Sequence, residues 1–299
     1  MKFSMCTAVY GMHDLHDTIN RAARLGFDAV EITAAKHLPV ESTKEYREEV
    51  KGWIKDAGIK CSALHYIFDG SVKLATTDPE LNEKCYEYLC KVVDVAADVE
   101  APTVIIGSGG TTRNIEEGTD REEAAKSMAG VIRRVGDYAQ AKDVYIAVEA
   151  INRYETTFLN TMQEATEFVE MVGHPYVRTM ADTYHINIEE TDPAASVRKY
   201  GYALQNLHLA DSNRMAPGTG HIDFNAIAAA LLESGFDKYC SFEVFGLYPW
   251  KLWFDTPEEA DRQMEIGIRT AKAAFERAAY NASYGPIEGK FGPTSYEGR

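Results

Sequence analysis

One local pattern repeats eight times along the 299 residues and fixes most of what the chain can become. A short run rich in β-branched and apolar residues is followed by a longer stretch with helical periodicity. The short runs fall at 3–9, 28–33, 59–65, 102–107, 144–149, 177–182, 204–209 and 239–244. "PTVIIG" and "VYIAVE" show the type. Nearly continuous apolar character over so few residues is what a parallel strand covered on both faces needs. Between the runs, helices are predicted over 15–25, 43–57, 79–99, 119–142, 161–172, 192–200, 223–234 and 256–279. Gly26, Gly58, Gly173 and Gly235 each stand between a helix and the next strand, where a left-handed C-cap belongs. Thr77-Asp78-Pro79 opens a helix with proline in its first turn.

Strand, helix, strand at this spacing makes right-handed βαβ units. Eight units predict a single (β/α)8 TIM barrel over residues 1–280, with an open doubly wound sheet as the structural alternative. No domain boundary interrupts the pattern. Residues 281–299, rich in Gly, Pro, Ser and Tyr, read as a C-terminal tail. The aromatic segment 245–254, "FGLYPWKLWF", reads as a lid or a subunit contact.

Composition narrows the partners. A formal net charge of −15 repels phosphate backbones and anionic lipid, so neither nucleic acid nor membrane is expected. No stretch approaches the ~18 consecutive apolar residues of a membrane span. Met1-Lys2-Phe3-Ser4 has no signal-peptide architecture. The five cysteines, Cys6, Cys61, Cys85, Cys90 and Cys240, are odd in number and contain no C-x-x-C pair. A disulfide framework is therefore not expected, and the reducing cytoplasm is the expected location.

In such a barrel the strand C-termini open on one face, and active sites gather there. Four successive strands end in a ligand type: Glu149 in "IAVEAINRYE", Asp182 in "RTMADTYHIN", His208 in "LQNLHLADSNR" and Glu243 in "YCSFEVFG". Three converging carboxylates repel one another and call for a cation. Three carboxylates with one imidazole suit a divalent ion of mixed oxygen and nitrogen preference, Mn²⁺, Mg²⁺ or Co²⁺. The absence of thiolates argues against structural zinc. Glu155, six positions after Glu149, Arg214, six after His208, and His185, three after Asp182, are placed in βα loops to reach a bound small molecule. Glu31 and His65 end strands two and three. They line the pocket, or His65 is a satisfied rim histidine. Gly107-Ser108-Gly109-Gly110 lets a ligand approach the backbone, without the spacing of a dinucleotide fingerprint.

At these residues the chain resembles a known family. "VEAINRYE", "DTYHINIEE", "HLADSNR" with "APGTGHIDF", and the late "FEVF" are similar to the xylose-isomerase-like TIM barrels of the sugar isomerase and epimerase group. Within that group they look like the ketose 3-epimerases of the D-tagatose and D-psicose (D-allulose) type. The resemblance covers 145–245; in the first half it rests on "RLGFDAVEI" and on barrel length. It implies one divalent metal, Mn²⁺ first with Mg²⁺ or Co²⁺ as alternatives, held by Glu149, Asp182, His208 and Glu243. It implies that Glu149 and Glu243 are also the catalytic acid and base on opposite faces of the sugar. Glu155, His185 and Arg214 match positions that contact substrate oxygens near C1 to C3, and His65 is counted with them as a pocket residue.

The implied reaction is epimerisation of a ketose at C3 through a metal-stabilised enediolate. Alternatives are a lyase, dehydratase or C4-type epimerase acting on 3-keto sugars or keto-glycosides, and an aldose–ketose isomerase. The related endonuclease branch, with three zinc ions and more histidines, is set aside because Ser108 stands where a further ligand belongs and the charge is unfavourable for DNA. In place of the aromatics that shape the sugar pocket of the tagatose and psicose enzymes, this chain has "AVYGMHD" and "GSGGTTRN". That departure bears on the substrate rather than the reaction. The expected partners are a small sugar and further copies of the chain, as a dimer or tetramer.

Overall fold

Eight parallel strands close into a barrel in chain order, each pairing with the next and the last returning to the first. They are β1 (Lys2–Cys6), β2 (Ala29–Thr33), β3 (Lys60–His65), β4 (Thr103–Ile106), β5 (Tyr145–Glu149), β6 (Val177–Asp182), β7 (Leu204–Leu209) and β8 (Tyr239–Phe242). This architecture comes from a computed structural model that describes residues 1–11, 13–107, 112–115, 117–246 and 254–283. Ser108 to Gly110, most of the 245–254 segment and the tail from 284 onward lie outside the described residues, and so do the readings made of them.

Helices begin where a side chain can satisfy the free N–H groups of the first turn. Asp14, Thr43, Asp78, Asp120, Thr161, Asp192 and Asp223 each accept such a bond. Thr161 and Glu164 do so reciprocally. Gly26 and Gly173 end their helices in the left-handed conformation expected of them.

Strand alternation sorts the core into two layers. Ile146 and Val148 of β5 join the large apolar layer beneath the helices, whereas Ala147 packs in the barrel interior with Ala63, Ile105 and Met180. That apolar plug fills the side of β3 to β6. The opposite side of the interior is polar and hydrogen-bonded. Ser4 meets Ser62 at 2.6 Å, Cys6 Sγ donates to Glu31 Oε1 at 3.2 Å, and Asn206 Nδ2 donates to Glu31 Oε2 at 2.7 Å. Outside, the Phe242 ring sits edge-on to Phe3 and Phe27, at 6.0 and 5.2 Å. The last helix, Pro257–Ser283, crosses it at Gly267, where a Cβ would stand 2.8 Å from the ring.

Two strand ends differ from expectation. β1 stops at Cys6, and Thr7–Tyr10 form a 3-10 turn. The cause is local: Thr7 Oγ1 takes the backbone N–H of Thr33 at 2.9 Å, so a side chain replaces the next ladder bond. β8 stops at Phe242, which leaves Glu243 one residue beyond it. Two short helices were not anticipated, Ala34–His37 and Thr183–Glu189. All five cysteines are free thiols. Among the described residues no helix is long and apolar enough to cross a membrane.

Candidate metal centre and active site

Alternation also aims the candidate ligands. In β5, β6 and β7 the residues Glu149, Asp182 and His208 lie two positions above Ala147, Met180 and Asn206, which face the barrel interior. Each of the three is buried. Glu149, Asp182 and His208 offer ligand atoms that all lie within 4.8 Å of one another. Glu243 stands beside this trio: its Oε2 is 3.3 Å from His208 Nδ1, and its side chain is 12% exposed. The barrel thus gathers all four predicted residues at one end.

The positive charge of the cluster is supplied by Arg214. Its guanidinium pairs with Asp182 Oδ2 and, at 2.5 Å, with Glu243 Oε2. It also lies near the Tyr184 and Phe245 rings, 4.8 and 5.0 Å from their centroids. The chain holds it there by a tight loop after β7. Asp211 accepts the N–H groups of Ser212, Gly218 and Ile222, and its carbonyl takes the N–H of Arg214. Arg214 itself has φ of 64°, a left-handed backbone that a non-glycine residue adopts only when its surroundings impose it.

The buried charges push one another's protonation apart. Burial raises the Glu149 carboxyl, with Glu243 and Asp182 adding to that push and His208 opposing it. Burial would raise Glu243 too, but His208 and Arg214 hold it well below the usual carboxylate range. Burial lowers and Glu31 and Glu243 more than restore the His208 imidazole, which ends well above the ordinary histidine value.

On the Glu149 side lies a second polar chain. Asn152 Nδ2 bonds His185 Nδ1 at 2.7 Å and Glu155 Oε1 at 3.0 Å. His185 Nε2 then faces Glu149 Oε1 at 3.9 Å. Burial first, and then Arg214, depress His185 to about 3, so the ring is neutral and its Nε2 carries the hydrogen. His185 sits on the helix Thr183–Glu189 rather than in the loop expected for it. Asp182 starts that helix by accepting the N–H of Tyr184 at 2.8 Å. A buried cation, Arg113, gives its guanidinium to backbone carbonyls, among them Glu149 at 2.7 Å and Phe158 at 3.3 Å. It ties the end of β5 to the loop that carries Glu155.

Two expectations change. Glu31 does not end its strand; β2 runs on to Thr33, and Glu31 lies one layer below the centre, fully buried. His65 does end β3, but Nε2 meets Thr33 Oγ1 at 2.9 Å, and Nδ1 lies 3.3 Å from Glu243 Oε1 and 3.5 Å from Glu31 Oε1. The ring is thus buried and hydrogen-bonded at the strand C-terminal end, within reach of Glu243. At Gly107 the group that approaches the backbone is the Glu149 carboxylate, which a Cβ there would strike. Asn152, Arg113 and Asp211 were not singled out in the sequence. Asp211 had the clearest signal, a short acidic side chain opening a loop that contains Gly218 and Gly220.

The donor set fits a divalent ion. His208 Nδ1 is buried and makes no hydrogen bond, although Glu243 Oε2 stands at 3.3 Å and Asp182 Oδ2 at 3.8 Å. A buried ring nitrogen without a hydrogen bond, set among carboxylates, has the chemistry expected of a metal ligand.

The class follows from comparison with known proteins. The family model described as xylose isomerase-like TIM barrel matches residues 19–272, and the chain belongs to that family. It is 30% identical to D-psicose 3-epimerase of Enterocloster bolteae, over 88% of this chain and 89% of that protein. It is 32% identical to L-ribulose 3-epimerase of Methylomonas sp., over 82% of this chain and 87% of that one. Its kinship is thus with carbohydrate epimerases, a class of isomerase. The crystal structure of D-psicose 3-epimerase with D-tagatose from Clostridium cellulolyticum H10 superposes with a TM-score of 0.81, covering 92% of this chain and 99% of that one; at 24% identity this likeness speaks to the fold.

Proposed function

We propose that the protein is a divalent-metal-dependent ketose 3-epimerase acting on a free ketohexose or ketopentose. The observation that carries this is geometric: Glu149, Asp182 and His208 place ligand atoms within 4.8 Å of one another with Glu243 beside them, and the two glutamates sit in different surroundings, Glu243 paired with Arg214 at 2.5 Å and Glu149 facing His185 at 3.9 Å. Inverting a carbon next to a ketone takes one group that removes a proton and another that returns one to the opposite face. Environments that drive two carboxyls apart assign those roles.

Glu149, Asp182, His208 and Glu243 would hold the ion, Mn²⁺ best suited, with Mg²⁺ or Co²⁺ as alternatives. Bound there, such an ion supplies Lewis acidity toward a carbonyl and an adjacent hydroxyl. Glu243 takes the C3 proton and Glu149 delivers one from the other face; in the reverse reaction the roles exchange. The neutral His185 donates from Nε2 toward charge developing on the substrate oxygens, and Arg214 adds positive potential. Glu155, braced by Asn152, orients a hydroxyl. His65, 3.3 Å from Glu243 Oε1, steadies that carboxylate.

Incubation of wild type and variants with D-psicose, D-tagatose and L-ribulose in D₂O with Mn²⁺, read by NMR, tests the scheme. Wild type is expected to wash deuterium into C3 and invert it, with turnover lost on chelation and regained on adding Mn²⁺. Glu149→Gln and Glu243→Gln are each expected to abolish both exchange and inversion. Near-normal epimerisation by either variant sinks the two-base account, and an expelled leaving group from a keto-glycoside would move the chain to the eliminating enzymes.

A further inference from the structure

Beneath the candidate centre the barrel interior holds a carboxylate closed off from solvent. Glu31 lies in β2, is fully buried, and is surrounded by donors. Its Oε2 accepts from Asn206 Nδ2 at 2.7 Å. Its Oε1 accepts from Cys6 Sγ at 3.2 Å and stands 2.6 Å from His208 Nε2. A carboxylate at which an amide and a thiol already aim their hydrogens is an acceptor, so His208 Nε2 must carry the hydrogen of that short contact. The other ring nitrogen, Nδ1, is the buried atom without a hydrogen bond, turned toward Asp182 and Glu243. The two nitrogens of one ring therefore have separate work.

We infer that Glu31 is a positioning residue: it fixes the orientation of His208 and keeps the hydrogen on Nε2, so that Nδ1 is the nitrogen that gives up its proton and turns its lone pair to the metal ion. The inference rests on reading His208 as a ligand. A histidine ligand whose second nitrogen donates to a buried carboxylate is held in register and made more basic. Here the carboxylate comes from β2, on the far side of the interior from the strands carrying Glu149 and Asp182. The bond thus couples the polar half of the interior to the site above it.

Cys6, Glu31, His65 and His208 also place ligand atoms within 4.8 Å of one another, the pattern of a second metal cage. The distances decide against it. Two ligands on a tetrahedral ion about 2.0–2.1 Å away stand roughly 3.3 Å apart, whereas Glu31 Oε1 and His208 Nε2 are at 2.6 Å, a hydrogen-bond length. The cluster is a support for the ion above it.

Calorimetric titration of Mn²⁺ into metal-stripped wild type, Glu31→Gln and Cys6→Ser, with NMR of the Co²⁺-loaded wild type, tests this. Wild type should take one Mn²⁺ per chain. Glu31→Gln, which keeps the volume but not the charge, should fold by circular dichroism and bind Mn²⁺ about 10- to 100-fold more weakly. Cys6→Ser, which keeps a donor to Glu31, should bind like wild type. The Co²⁺ protein should show a hyperfine-shifted exchangeable proton from His208 Nε2–H, absent in His208→Gln.

A folded Glu31→Gln with wild-type affinity overturns the inference, as does a Cys6→Ser as weak as Glu31→Gln. Should Glu31→Gln fail to fold, the absence of that exchangeable proton in wild type overturns it by itself. Two Mn²⁺ per chain would establish the cage instead. A wild type that binds no Mn²⁺ at all would remove the ligand reading of His208, a result distinct from equal affinities in the two proteins.

Discussion

Two single residues show how little slack the site has. Gly107 follows β4, and a methyl group on its Cα would strike Glu149 Oε2. The carboxylate cannot retreat cheaply, because the end of β5 is clamped through the Arg113 bond to the Glu149 carbonyl. A misplacement of about 1 Å costs on the order of 100-fold in rate. Gly107→Ala is therefore expected to lose about that factor in kcat while keeping its circular dichroism; a variant with wild-type kcat would show that the close approach has no catalytic consequence. Arg214 bears on stability instead. It is the cation paired with Asp182 and Glu243, and removing one partner of a buried pair costs about 3–5 kcal/mol. Arg214→Gln should melt well below wild type without metal and recover much of the gap when Mn²⁺ is added. An equal Mn²⁺-induced rise in Tm for both proteins would contradict this. The four candidate ligands were legible from sequence because each is a polar residue closing an apolar run, and strand alternation does the rest. Glu31 was misplaced although the run 28–33 was right, because it stands two residues short of the strand end. Asn152 and Arg113 were not legible, since a loop polar residue looks the same whether it faces water or a buried ring. Only the fold pairs Asn152 with His185, or Arg113 with the carbonyls of Glu149 and Phe158.

At the scale of elements, glycines within helices separate propensity from packing. Gly52 and Gly130 lie inside the helices Lys44–Asp56 and Arg121–Gln140, and a Cβ at either meets nothing within 4 Å. Gly267 lies in the last helix, where a Cβ would stand 2.8 Å from a Phe242 ring itself hemmed in by Phe3 and Phe27. Gly52→Ala and Gly130→Ala should each stabilise by up to about 1 kcal/mol, from helix propensity alone. Gly267→Val should destabilise by about 1–3 kcal/mol, because overpacking outweighs propensity. Urea unfolding midpoints measure all three, and a stabilised Gly267→Val would mean that the last helix can shift off β8. The strands were legible because a parallel strand covered on both faces must be apolar throughout, and the long helices because their period runs over several turns and glycine closes several of them. Ala34–His37 and Thr183–Glu189 were not: four and seven residues hold too few turns to show a period. The second of these is organised by Asp182, whose polar side chain advertises a ligand as readily as a cap.

At the scale of the whole molecule, charge and site together bear on which sugar enters. The chain carries a formal net charge of −15, so an anionic substrate approaches against the field of the protein. Such an enzyme can still take a phosphorylated sugar if a cation near the site is free to pair with it. Among the described residues, the two buried arginines at the strand C-terminal end, Arg113 and Arg214, are both committed. Arg113 gives its guanidinium to the carbonyls of Ile106, Glu149, Phe158 and Leu159, and Arg214 binds Asp182 and Glu243. A phosphate dianion placed against these two arginines would lose water without gaining either as a free partner, and an unpaired buried charge costs several kcal/mol. The kcat/KM for an unesterified ketose should therefore exceed that for its phosphate ester by about 100-fold or more, since about 2.7 kcal/mol of uncompensated desolvation already supplies that factor. The net charge also sets the salt response. A neutral sugar feels little of the field, so its kcat/KM should stay nearly constant as ionic strength rises, whereas the residual rate on the ester should increase as screening removes the repulsion. Steady-state kinetics on a matched ketose and phosphoketose pair at low and high salt checks both. A phosphate ester turned over faster than the free sugar, with a rate that falls as salt is added, would mean that a cation outside these two arginines receives it.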